Sequence, residues 1–130
     1  MRIEIFALCD AATGDLGKLS MLGAFDTMGA PKTPVVHPQC AIALRVRFER
    51  VERGEHKVVV HFVDSDGKKV IPSAQGTITM NFSDEQSSGS ANLILNIQGL
   101  KLERFGEYAI DLAIDGQQRA SLPLFVKERK

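Results

Sequence analysis

Five residues in the first third of the chain carry side chains that could do chemistry together. They are Cys9, Asp10, Asp26, His37 and Cys40. An imidazole can take the proton of a thiol and a carboxylate can orient the imidazole, so these residue types can form a nucleophilic catalytic set. Such a set requires that the ends of the first three expected strands meet at one edge of a sheet.

The two cysteines also fit a simpler interpretation, in which both are small core residues. Cys40 begins a run of alternating apolar residues, and Cys9 lies in an apolar stretch near the N-terminus. Free cysteine is among the most buried residue types and packs as a small hydrophobe. We therefore favour a non-catalytic protein. A Cys/His-dependent enzyme that uses Cys9 or Cys40 with His37 and Asp10 remains the alternative.

The spacing of the histidines and cysteines does not predict a metal site. His37 and Cys40 form a single His-x-x-Cys pair, whereas a structural zinc site needs four ligands, usually as two pairs. His56 and His61 are five positions apart, so on one strand they face opposite ways. The chain also has no glycine-rich phosphate loop. We therefore expect no metal and no cofactor.

The charge balance and composition exclude two classes of partner. Sixteen basic and sixteen acidic residues give a formal net charge of zero, without the basic excess that nucleic-acid binding requires. One tyrosine and no tryptophan offer little surface for stacking bases. No apolar run reaches the ~18 residues of a membrane span. We expect neither a nucleic-acid nor a membrane partner.

The N-terminal stretch and the cysteine usage point to one compartment. Residues 1–10 alternate and contain Glu4 within the apolar stretch, which is not the pattern of a signal peptide. Two cysteines without an export signal are typical of reduced thiols. We therefore expect a cytoplasmic protein.

Apolar and polar residues alternate over most of the chain, which predicts strands and no helix. The expected strands lie within 2–10, 18–28, 40–49, 58–62, 78–82, 92–97, 108–115 and 120–127. Three prolines in 29–38 predict an extended crossover between sheet regions. About nine strands without helices predict one domain, residues 1–130, with a two-sheet antiparallel β-sandwich; a closed barrel is the alternative.

Two Asp-Gly pairs predict turns, because a hairpin must keep its apolar residues on one face. Three-residue loops at 65–67 and 114–116 meet this condition. The first loop predicts that Phe62 pairs with Val70, and the second that Ile110 pairs with Ala120. Both loops predict left-handed glycines, at Gly67 and Gly116.

The segment from Leu102 to Tyr108 resembles the tyrosine corner of immunoglobulin-like domains, in which a tyrosine hydroxyl bonds to nearby backbone. The chain has no tryptophan and no cysteine two residues after Tyr108, so it resembles a disulfide-free relative. A barrel of the fatty-acid-carrier type needs a helical lid where this chain has its prolines.

Four segments resemble a family of small uncharacterised bacterial proteins, classed as a domain of unknown function. The resemblance extends over the whole chain and implies no activity, cofactor or catalytic residue. The segments are Ala7-Leu8-Cys9-Asp10-Ala11-Ala12, Leu22-Gly23-Ala24-Phe25-Asp26-Thr27, His37-Pro38-Gln39-Cys40 and Phe105-Gly106-Glu107-Tyr108.

Strands that are apolar on both faces leave side chains for an interface. Residues 2–10 and 18–28 have this character, and Phe125 points to the nominal outer face of the last strand. A patch of such residues would mark a subunit or partner interface. We predict a binding or oligomerisation module, a homodimer or a protein-partner adaptor, that uses a sheet face or edge; a carrier of a small apolar ligand is a further alternative. The interface candidates are Phe6, Leu8, Leu22 and Phe125.

Overall fold

The computed structural model describes residues 1–129, and within that range the chain is all β. Two short 3-10 turns, Asp15–Gly17 and Arg50–Glu52, interrupt the strands. None of the described residues forms a helix that is long and apolar enough to cross a membrane. The strands are β1 (Arg2–Thr13), β2 (Ser20–Ala24), β3 (Thr27–Ala30), β4 (Val35–Glu49), β5 (Gly54–Val63), β6 (Ala74–Met80), β7 (Ser88–Leu102), β8 (Gly106–Ile114) and β9 (Gln117–Glu128).

The strands form two sheets with one core between them. One sheet has the order β2-β1-β4-β7, and the other has the order β3-β9-β8-β5-β6 and curls into a half-barrel. The expectation of two sheets and about nine strands is confirmed. The expectation of a wholly antiparallel fold is wrong at one place, because β3 runs parallel to β9.

The alternation that predicts β4, β5 and β8 produces the core. From Cys40 in β4, Val58 in β5 and Tyr108 in β8 onwards, every second residue is buried against the opposite sheet, and the intervening residues face outward. The core side chains of these three strands are Cys40, Ile42, Leu44, Val46, Phe48, Val58, Val60, Phe62, Tyr108, Ile110, Leu112 and Ile114.

The segment 18–28 is two strands in different sheets, and the expectation of one strand is wrong. The chain changes sheet at two adjacent residues: the Phe25 amide donates to the Leu8 carbonyl of one sheet at 3.0 Å, and the Asp26 carbonyl accepts from the Phe125 amide of the other at 2.7 Å. Alternation reports which residues are buried and not which sheet buries them, so the pattern carries no sign of this switch. The expected crossover 29–38 shrinks to residues 31–34.

The two Asp-Gly turns differ from each other. The Val70 amide donates to the Phe62 carbonyl at 3.0 Å and Gly67 has φ +80°, as predicted. The β8–β9 turn contains two residues, Asp115 (φ +53°) and Gly116 (φ +82°). Ile110 therefore pairs with Leu122, and the predicted partner Ala120 is wrong. A register shift after Leu112 returns the apolar residues to one face, which the three-residue loop was expected to do.

Candidate functional site

Asp10 and His37 come together at one end of the four-stranded sheet. The Asp10 Oδ1 atom, near the end of β1, lies 3.8 Å from the His37 Nε2 atom, near the start of β4. The Phe25 ring lies against the imidazole with 5.3 Å between ring centroids. These side chains line an open groove of about 660 Å³ between β2, β3 and the start of β4, with Met28 and Lys32 also on its wall.

Gly23 allows Asp10 to occupy this position. It has φ +67°, and a Cβ atom there would lie 2.5 Å from the Asp10 Oδ2 atom. The carboxylate therefore lies over the Gly23 Cα atom, in the space that the Cβ atom of any other residue at position 23 would occupy. A left-handed conformation and a close approach both require glycine here.

The cysteines lie on opposite faces of the four-stranded sheet. Cys40 is fully buried in the core between the sheets. Cys9 pairs with Ala41, the next residue along β4, and so faces the other way, where it packs against Ala41 and Ala43. Its thiol lies 3.5 Å from the Ala41 carbonyl. The two thiols therefore cannot serve His37 from one face of the sheet.

Burial also works against thiol reactivity. It raises the pKa of Cys40 to about 11, with smaller contributions from the nearby Cys9 and Asp10 charges. Burial is the main cause that raises the pKa of Cys9, followed by the Asp10 charge. A nucleophilic cysteine needs the opposite shift, because the thiolate is the reactive form. Asp26 lies at the sheet switch, where its carboxylate accepts a hydrogen bond from the Thr27 hydroxyl at 2.8 Å.

The four interface candidates do not form one patch. Leu8 is only 3% exposed and belongs to the core, so it offers almost no surface to a partner. It is buried because the opposite sheet covers this part of β1. Phe6 and Phe125 are partly buried, and Phe6 packs against the core. Leu22 is 73% exposed on β2.

Two charge clusters lie outside the residues singled out from sequence. In the first, Glu4 Oε1 accepts from Arg45 Nε at 2.9 Å, and Glu4 Oε2 accepts from Arg47 Nε at 2.8 Å. The hydrogen bond from Arg47 is the main cause that lowers the pKa of Glu4, against the effect of burial. The pattern contains a signal for this cluster, because Glu4 interrupts an apolar strand and the two arginines alternate outward on β4.

The second cluster holds His56 between two acceptors. Its Nδ1 atom lies 2.6 Å from the Asp115 Oδ2 atom, and its Nε2 atom bonds to the Glu52 carbonyl. The Glu52 carbonyl and the ionised Asp115 carboxylate only accept hydrogen bonds, so this site favours an imidazole that carries a proton on both nitrogens. Burial disfavours this charge, but the hydrogen bonds to Asp115 and Glu52 outweigh it and raise the pKa of His56. The ring also stacks on Phe48, with 4.5 Å between centroids.

The sheets have four edges, and β2 forms one of them. The edges of β6 and β7 lie against each other: a Cβ atom on Gly76 would meet a Leu93 methyl group at 2.9 Å. The β3 edge is flanked by Pro31 and Lys32. The five residues of β2 are all exposed, and none is charged or proline. The β2 edge thus lacks the charges and prolines that proteins use to block strand pairing.

Comparisons with solved structures show the fold alone. Over 95% of its length the chain resembles 16% of a β-glucosidase from Listeria innocua, solved in complex with isofagomine, with 9% identity and a TM-score of 0.54. Over 97% it resembles 30% of the Pseudomonas fluorescens alkylpurine DNA glycosylase AlkC bound to DNA containing an abasic site analog, with 6% identity and a TM-score of 0.50. The chain thus spans less than a third of either protein. No curated protein matches it. A family profile matches residues 4–127, and its description is that of a family of unknown function.

Proposed function

The chain belongs to this family, DUF6941, and because the family's function is unknown we propose a role from geometry: it is a homotypic binding module that pairs with a second copy of itself through β2. The observation that carries the proposal is the edge of β2, which is exposed along its whole length and has neither charge nor proline. Unprotected edges pair with other strands.

The sequence around β2 supports a second copy as the occupant. An antiparallel pair related by a two-fold axis at Leu22 places each residue opposite the one equally far on the other side of the axis. Lys18 lies four residues before Leu22, and Asp26 lies four residues after it. Lys18 and Asp26 flank β2 on its two sides. Lys18 of each copy would therefore come near Asp26 of the other, just beyond the paired residues, and opposite charges in this position favour pairing.

The exposed side chains of β2 support the same axis. Leu22 is 73% exposed and Met21 is also exposed, so the two copies would cover apolar surface that each alone leaves in water. β2 contains only five residues, so the paired surface is small. Because small interfaces bind weakly, we expect a dimer that dissociates on dilution.

Analytical ultracentrifugation over a concentration series tests the proposal. We expect a mass that rises from 14.2 kDa towards that of a dimer. Leu22→Lys places like charges together at the axis and should keep the chain monomeric. Val51→Lys is the matched control, since Val51 is 89% exposed in the second 3-10 turn, and it should dimerise as the wild type does. A wild type that stays monomeric at every concentration overturns the proposal, even if it captures a different protein.

Charge exchange tests the register. Lys18→Glu and Asp26→Lys should each weaken the dimer, because each places like charges opposite one another. The double variant should recover most of the affinity, since the pair is restored with its signs reversed. A double variant that dimerises no better than the single variants contradicts the axis at Leu22.

We also infer that the two sheets form an immunoglobulin-like sandwich. The neighbour orders β1-β4-β7 and β5-β8-β9 match those of strands A-B-E and C-F-G in that fold. The Tyr108 hydroxyl, at the start of β8, donates to the Arg104 carbonyl at 2.8 Å and accepts from the Arg104 amide at 3.2 Å.

The two free, buried thiols support a reducing compartment such as the cytoplasm.

A further inference from the structure

We propose that Arg45 and Arg47 form a binding site for an oxyanion, a carboxylate or a phosphate group, on the outer face of the four-stranded sheet. The site is independent of the β2 edge. It rests on a β-bulge, on the hydrogen bonds that fix the two guanidinium groups and on the positive charge that these bonds leave.

The bulge lies in β1 and turns Glu4 towards the arginines. Ile3 pairs with Val46 and Ile5 pairs with Arg45, so Glu4 is an extra residue on β1. Bulges re-aim a side chain and are common next to functional sites. Here the bulge places one carboxylate between two outward arginines of the neighbouring strand, and each carboxylate oxygen accepts from one of them.

Further hydrogen bonds fix the outer ends of both guanidinium groups. Arg45 Nη1 donates to the Asn92 side-chain oxygen at 2.9 Å, and Arg47 Nη1 donates to the Ser88 hydroxyl at 3.2 Å. Among the described residues, the bonds of these two arginines engage Nε and Nη1, which leaves the Nη2 donors for a ligand. Two pre-oriented guanidinium groups match the geometry of carboxylate and phosphate.

The cluster keeps positive charge after Glu4 is counted. Arg2 joins it with its Nη2 atom 3.4 Å from Glu4 Oε2, so three arginines share one carboxylate. The neighbouring strand β7 contains no acidic residue, and it is this strand that supplies Asn92 and Ser88. The β1–β2 connection, whose Gly17 carbonyl accepts from Asn92, adds one acidic and one basic residue, Asp15 and Lys18. Both central arginines are about 70% buried, so water screens their charge less than it does at an open surface.

Calorimetric and NMR titrations with inorganic phosphate and, separately, with citrate test the site. We expect saturable binding of at least one anion, with amide shifts centred on β4, β7 and the start of β1. The anion that binds more tightly identifies the group. Shifts that rise linearly without saturation, or binding of neither anion, overturn the proposal.

Charge-conserving variants distinguish specific binding at this site from nonspecific electrostatic attraction of the anion. Arg45→Lys and Arg47→Lys keep the net charge but lose the planar fork, so each should weaken binding by about tenfold. Arg119→Lys is the matched control, because Arg119 is exposed on the other sheet, and it should bind as the wild type does. Glu4→Gln removes the competing charge and should tighten binding. Equal affinity in all four variants overturns the proposal, and the Glu4→Gln result holds even if a lysine variant fails to fold.

Discussion

At the scale of single residues, burial decides what the two thiols can do. A thiol in an apolar site ionises only at high pH, and Cys40 has a pKa of about 11 for this reason. Its place in the alternation of β4 already indicates a core residue. The distribution of the cysteines over both faces of the sheet was not predictable, because it depends on the register between β1 and β4.

We expect both thiols to react slowly with a thiol reagent near neutral pH in the folded protein, because both are buried and hold raised pKa values. Adding denaturant should accelerate both reactions to the rate of a free cysteine. Mass spectrometry after timed quenching measures each site separately. One thiol that reacts faster in the folded than in the unfolded chain contradicts this expectation and supports the Cys/His enzyme.

The His56–Asp115 pair should make stability depend on pH in two directions. The pKa of His56 is raised from 6.5, so its contribution is complete below that value and is lost as the pH rises through the folded pKa. Hydrogen bonding from His56 is the main cause that lowers the pKa of Asp115 from 3.8, so its contribution is complete above that value and is lost as the pH falls. The pair therefore stabilises most between these two values.

Asp115→Asn tests this dependence, because asparagine also tolerates the positive φ of the turn. We expect a loss of about 0.5–1 kcal/mol in the free energy of unfolding near pH 5, since the carboxylate is partly screened by water. The loss should shrink at alkaline pH, as His56 loses its proton. Urea unfolding at several pH values measures it, and Glu85→Gln, at an exposed carboxylate, is the control. A loss that is independent of pH would assign the effect to the turn alone.

At the scale of elements, the sequence predicts strands better than it predicts their neighbours. The alternation of β4, β5 and β8 holds because each is buried on one face by the opposite sheet. The sheet switch at Phe25 and Asp26, the bulge at Glu4 and the register shift in β8–β9 were not predictable. Each of them depends on which strand lies alongside, and a local pattern does not contain that information.

Gly23→Ala tests how tightly the Asp10 carboxylate packs against β2. The new methyl group would overlap the Asp10 carboxylate, and alanine disfavours the φ of +67°. We expect a loss of about 1–3 kcal/mol in the free energy of unfolding. Adding Asp10→Ala should recover the part caused by the overlap and leave the part caused by the backbone. Thermal and urea unfolding of the single and double variants measure both parts; equal stability of Gly23→Ala and the wild type contradicts the geometry.

At the scale of the whole molecule, the candidate site is a product of topology. The convergence of Asp10 and His37 was foreseeable, because the end of one strand and the start of its antiparallel neighbour lie together. Neither cysteine lies in that site, because the register between β1 and β4 turns Cys9 to the outer face of the sheet and Cys40 is buried in the core. The exposed edge of β2 follows from the early exit of the chain to the second sheet, which leaves a five-residue strand with one neighbour.

The parallel pairing of β3 with β9 also has a consequence for folding. Thr27 pairs with Phe125, so this ladder joins two segments that lie far apart in the chain. β9 lies between β3 and β8, and the half-barrel is therefore complete only after the long loop between β3 and β9 has closed. Closing such a long loop costs chain entropy before β3 gains its contacts, so we expect the docking of β3 onto β9 to be a late step of folding.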